Sequence, residues 1–234
     1  MINLTVGDQQ CKIPESWSEI SLKDYTKIFA IIKANEYIEK ESELPPTPEE
    51  KKVIDYERSM ANLNMSRNIF SEFTGIDKET INKVNGSEMS NTLLLMTNFL
   101  NSEVEGQAIS LETTKSFKLK NKEYFFPIAK MQTSTFGDYI EASQLDMLAE
   151  KHESGRIGVI SEQMAVLCRE RGEVYDEQLV VKKSKLFKDL TMDVVWDFIF
   201  FLTKQTNTLN QHSQMYSKAE TEMEIGTPPT IGIS

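Results

Sequence analysis

Asp193 and Asp197 stand one helical turn apart in "MDVVWDFIFFL", on either side of Trp196. Carboxylates at that spacing share a helix face, where they can divide acid and base roles or hold a metal ion. The same spacing also marks the solvent side of an otherwise apolar helix, and that is the plainer reading. If the helix is central, each acid needs a Lys or Arg partner. Nucleophilic chemistry needs a base beside a Ser or Cys, and the chain has only 2 histidines. His152, in "AEKHESG", falls at a helix end, where a cationic or capping role is common. His212 lies in a polar stretch, too remote from His152 to give metal spacing. Cys11 and Cys168 are equally distant and form no CxxC pair. A disulfide framework or zinc site is therefore not expected, and a reducing compartment fits. "SGRIGV" matches neither a Walker nor a Rossmann fingerprint. Arg169 and Arg171 in "CRERGE" read as helix-end charge complementing the dipole. The expectation is a non-enzymatic chain, with no catalytic residue, no metal ligand and no cofactor.

Bulk composition narrows the class further. The 234 residues are 39% hydrophobic and 26% charged, enough for a real core. A formal net charge of -10 repels a phosphate backbone unless basic residues cluster. Lys115, Lys118, Lys120 and Lys122, and then Lys182, Lys183, Lys185 and Lys188, interleave with aromatics. They read as solvated faces of a hairpin and a helix, so direct sequence-specific nucleic-acid binding is not expected. "MINLTVGDQQ" lacks the basic and apolar regions of a signal peptide. The most apolar run, Met192 to Leu202, is far short of the ~20 residues of a membrane span.

The elements that must position these residues are mostly helical. "INLTV" and "QQCKI" flank Gly7-Asp8-Gln9 and predict a hairpin that Pro14 ends. Ser21 then caps a helix whose buried stripe is Leu22, Tyr25, Ile28, Phe29 and Ile32, running to about Tyr37 or Ile38. "EKESELPPTPEE" is an acidic, proline-rich linker centred on 41–48. Its Thr47-Pro48-Glu49-Glu50 is a helix start. The helix that follows carries Val53, Ile54, Met60, Leu63, Ile69, Phe70 and Phe73 as its apolar residues and stops at Gly75. Its Asn- and Ser-rich middle allows a break near Asn62 or Asn64. Asp77 caps a short helix ending at Asn85-Gly86, and Ser87 caps the next.

"SFKLK" and "EYFFPI" predict a second hairpin, near 115–127, turning at Asn121-Lys122. Helices follow at "TFGDYIEASQLDMLAE" and at "RIGVISEQMAVLCRERG", the latter stopped by Gly172. "EVYDEQLVV" reads as extended or loop, and "KSKLFKDL" as a short helix. "MDVVWDFIFFLTKQTNTLNQ" is expected to be the central core helix. The fold expected is α+β and predominantly α-helical: a helical bundle with small N-terminal and central β-hairpins. Residues 1–220 form one α-rich domain, and 221–234 an extended C-terminal tail.

What remains are interaction features. Trp17 and Tyr25 belong to a proline-turn docking element, Pro45 and Pro46 to a linker able to wrap a neighbour. Ile225, Pro228, Pro229 and Ile231 spike a turn-rich tail suited to adding an extended segment to another subunit. "IPESWSEISLKDY", Ile13 to Tyr25, resembles an opening found in structural or tail-assembly proteins of tailed bacteriophages, notably crAss-like and large phages of Bacteroidetes. "TFGDYIEASQLDML" with "ISEQMAVLCRERG", roughly Thr135 to Gly172, is similar to a second segment of such proteins. These are packing motifs and bring no catalytic residues. The resemblance implies a virion component, a homo-oligomeric ring or connector at the head-tail region or tail that contacts portal or tail proteins. Its alternative is a tail or baseplate-hub assembly factor that does not stay in the virion.

Overall fold

The computed structural model describes residues 1–37, 45–100, 115–127, 136–149, 151–152 and 155–204. Strands β1 (Ile2–Val6) and β2 (Gln9–Ile13) pair antiparallel, Ile2 opposite Ile13 and Val6 opposite Gln9. Gly7, at φ 59°, opens the two-residue turn, where a side chain would be strained. Val6, Cys11 and Ile13 reach the core. After Pro14 a single 3-10 turn (Trp17–Glu19) leads to Ser21, whose Oγ accepts from Asp24 N at 3.1 Å and starts α1 (Leu22–Asn35). Leu22, Tyr25 and Ile28 are buried, with Phe29 and Ile32 half-buried beside them.

Helix α2 (Pro48–Thr74) opens on a full capping box, Glu50 N donating to Thr47 Oγ1 and Thr47 N to Glu50 Oε2. It closes on Gly75 at φ 72°. It passes Asn62 and Asn64 without a break. Their weak helix propensity, about 0.7 kcal/mol each, is outweighed by the continuous hydrogen bonding of a long, capped helix. The two helices run antiparallel: Lys27 pairs with Glu72 at 2.9 Å, Asn68 Nδ2 donates to Asn35 Oδ1 at 3.2 Å, and Tyr37 OH donates to Glu57 at 3.1 Å. α2 spans about 40 Å against about 21 Å for α1, so its first turns outrun their neighbour. Val53, Met60 and Leu63 lie on a face turned away from α1 and are exposed, and Ile54 is only half-buried.

Asp77 caps α3 (Lys78–Lys83) through Thr80 N. For α4 (Gly86–Leu100) the cap falls on Asn85, whose Oδ1 accepts from Ser87 N, rather than on Ser87. The second hairpin pairs β3 (Ser116–Leu119) with β4 (Lys122–Phe125). Its turn is Lys120-Asn121, at φ 48° and 65°, one residue earlier than the sequence implies. Helices α5 (Phe136–Ala149), α6 (Gly155–Leu167), α7 (Glu177–Phe187) and α8 (192–204) complete the described fold.

Three expectations for this half change. α6 stops at Leu167, well before Gly172, because Arg169 leaves the helix to exchange both backbone hydrogen bonds with Phe125. α7 starts at Glu177, inside the stretch read as a loop: Asp176 accepts from Gln178 N and Leu179 N. The most enclosed helix is α6, buried on nearly every side, whereas α8 exposes Asp193.

The two ends of the chain meet at one short pairing. Leu22 N donates to Leu190 O at 2.7 Å, Met192 N to Ile20 O at 2.9 Å and Lys23 N to Lys188 O at 2.9 Å, around an antiparallel bridge between Ser21 and Thr191. Each helix start thus supplies carbonyls for the other's orphan N–H groups. One cluster of buried side chains runs from Val6 to Leu202. Among the described residues no helix is long and apolar enough to cross a membrane.

Lys120 and Asn121 both adopt the left-handed conformation that favours Asn-Gly in this turn. The double substitution Lys120→Asn/Asn121→Gly should raise stability by about 1 kcal/mol, read as a higher urea midpoint at unchanged slope. Loss of the exposed Lys120–Asp189 pair should subtract little.

Candidate functional site

Below the Ser21–Thr191 pairing, aromatic rings from four parts of the chain converge. Trp17 packs on Phe99 at 4.9 Å, Tyr25 at 5.6 Å and Trp196 at 5.8 Å between centroids. Tyr25 meets Trp196 edge-on at 5.8 Å. The 3-10 turn, α1, α4 and α8 are keyed together here. Neither indole N–H finds an acceptor among the described residues, so the cluster works through ring packing. Trp17 and Tyr25 are candidates for partner contact, with packing inside the chain the open alternative. The structure turns both inward, Tyr25 buried and Trp17 half-buried.

A second convergence lies between the second hairpin, the end of α6 and the loop that follows it. A cleft of about 690 Å³ is lined by Glu123, Phe125, Pro127, Arg169, Arg171 and Glu173, among others. Arg169 sets Nη2 2.6 Å from Asp138 Oδ1, and its guanidinium lies 5.6 Å from the Tyr175 ring. Arg171 sits 4.9 Å over Phe125, and Lys122 pairs with Glu170 at 2.6 Å. Lys183, almost fully buried, donates to Cys168 O at 2.9 Å and to Glu173 Oε1 at 2.5 Å. Neither Arg169 nor Arg171 acts as helix-end charge, because both lie beyond α6.

These contacts decide what the cleft can do. Its cations are engaged by the chain's own carboxylates, carbonyls and rings, so the seam ties β4, α5, α6 and α7 together. Burial pushes the Cys168 thiol well above its ordinary range, with Lys183 opposing only in part, which makes it a poor nucleophile. Tyr175 is pushed up to about 12, first by its hydrogen bond to Glu141 (2.5 Å) and then by burial. The Asp193–Asp197 pair does not form a site: Asp193 is exposed, and Asp197 pairs with Lys115 at 2.5 Å. Among the described residues no three His, Cys, Asp or Glu side chains gather as a metal centre.

Pro45 and Pro46 are exposed immediately before the Thr47 cap. Ile225, Pro228, Pro229, Ile231 and His212, with the 220/221 domain boundary, lie outside the described residues. The feature that sequence reasoning missed is an exposed apolar stripe on α2. Val53, Tyr56, Met60 and Leu63 are 56%, 66%, 40% and 51% exposed. Their spacing was legible, but the same spacing describes a buried face. Further apolar side chains are open on α4 (Leu94, Leu95) and α5 (Ile140, Met147, Leu148). No family model, no curated protein and no solved structure matches this chain.

Two outcomes follow from this geometry. Trp17→Ala should destabilise the fold by about 2–4 kcal/mol, while Trp17→Phe, which loses no hydrogen bond, should cost about 1 kcal/mol; denaturant unfolding measures both. Tyr175 titrates near 10 when unfolded and higher when folded. Its contribution to stability is thus fully present below pH ~10 and is lost as pH rises toward about 12. Stability should fall further across that window in the wild type than in Tyr175→Phe, which keeps only the smaller contributions of Tyr25 and Tyr124.

Proposed function

We propose that the chain is a non-enzymatic structural component of a tailed-bacteriophage virion, a ring or connector subunit at the head-tail region or tail. The observation that carries this reading is open apolar surface on several helices at once. α2, α4 and α5 each present large apolar side chains to solvent, and such surface is what subunit contacts cover. The charged cleft supports it from the other side, since its ionic groups are engaged in holding the fold. The resemblance of Ile13–Tyr25 and Thr135–Gly172 to phage packing motifs supplies the virion setting, with portal or tail proteins as neighbours. In a ring the contacts are heterologous and repeat head to tail.

Mass photometry of the purified chain, with mass spectrometry of purified particles, tests the reading. The expected result is an oligomer well above the 26.8 kDa monomer and stoichiometric presence in particles. A chain found in lysates of infected cells but absent from particles belongs instead to the assembly-factor reading.

A further inference from the structure

We infer that the exposed stripe of α2 is a self-association site, paired antiparallel with α2 of a second copy. The inference rests on the assembly reading and names one contact within it. Val53, Tyr56, Met60 and Leu63 follow 3-4-3 spacing, the a/d seam of a two-helix contact. They lie about 110° round the helix from the residues that meet α1 and are exposed, so α1 does not cover this seam.

The seam ends in opposite charges. Glu49, one step before Val53 on the same line, is exposed and lies in the first turn. Arg67, one step beyond Leu63, donates from Nη1 to Asn82 Oδ1 at 3.0 Å. Its Nε is buried with no hydrogen-bond partner among the described residues. One antiparallel register satisfies every position. Val53 faces Leu63 of the second copy, Tyr56 faces Met60, and Glu49 faces Arg67, each pair occurring twice about a two-fold axis. A parallel register would set Glu49 on Glu49 and Arg67 on Arg67, like against like. Glu57, the acid nearest the axis, is drawn to the α1 side by the Tyr37 hydroxyl.

The contact is isologous and closes on itself, so it joins two copies, or two rings face to face, and does not extend a ring. It buries on the order of 1,000 Å² in total, the low end of specific interfaces.

Sedimentation velocity on the full chain up to about 100 µM gives the first readout, with Met60→Glu as the variant. The expected result is a contact that Met60→Glu weakens about 100-fold or more at unchanged circular dichroism and melting temperature. Disulfide trapping gives the second. Val53→Cys and Leu63→Cys chains should cross-link when mixed and not when either is alone, since Cys11 and Cys168 are buried. A wild type that stays monomeric overturns the inference, whatever segment covers the stripe. So does cross-linking of Val53→Cys with itself. Unfolding of Met60→Glu would place Met60 in its own core and overturn it equally. A wild-type oligomer indifferent to Met60→Glu leaves the ring reading standing and removes this contact alone.

Discussion

Two helix starts separated by most of the chain depend on each other. α1 begins at Leu22 and α8 at 192, and the first N–H groups of each point away from any partner of their own. Ser21 and Thr191 lie side by side, so Leu22 N reaches Leu190 O and Met192 N reaches Ile20 O. An unpaired buried N–H costs about 1–3 kcal/mol, and here each end relieves the other. The flanking sequences, Ile20-Ser21-Leu22 and Leu190-Thr191-Met192, share one chemistry: apolar residues turned into the core around a small hydroxyl that tolerates the extended backbone of a helix cap.

Everything nearby follows from that pairing. It brings Trp196 under Trp17 and Tyr25, and Phe99 closes the group from α4. A similar device recurs at the other hairpin, where Phe125 and Arg169 exchange backbone hydrogen bonds. That exchange draws the chain out of α6 and orients Arg169 toward Asp138, and Lys183 then secures the following loop by holding Cys168 O and Glu173. The fold is a set of helices stitched at a few short backbone crossings, with apolar packing filling the space between. Its charged groups mostly hold that stitching, while open apolar side chains remain on α2, α4 and α5.

Local signals in the sequence translated well. The glycine turn of the first hairpin, the Ser21 and Asp77 caps and the Thr47–Glu50 box each involve residues within four positions of one another, so neighbours in the chain suffice to specify them. Where two local signals competed, reading alone chose badly. Ser87 looked like a cap and Asn85 is one. Asp176 lies inside a stretch that reads as loop, yet it caps α7. Gly172 looked like a helix stop, but the helix had already ended at Leu167 for a reason lying in β4. Asn62 and Asn64 looked like a break, and the continuous hydrogen bonding of α2 overrides their propensity.

The sequence by itself determined the helical character, the two hairpins, most caps and an acidic chain with enough apolar residues for a core. These are properties of composition and of residues a few positions apart. Tertiary structure alone decided which apolar stripe is buried. Val53, Met60 and Leu63 carry the same 3-4 spacing as Leu22, Tyr25 and Ile28, yet one set is open and the other closed. Periodicity says that a helix has an apolar face. Whether that face is covered depends on which side of the helix its neighbours pack, and α1 meets α2 on another side.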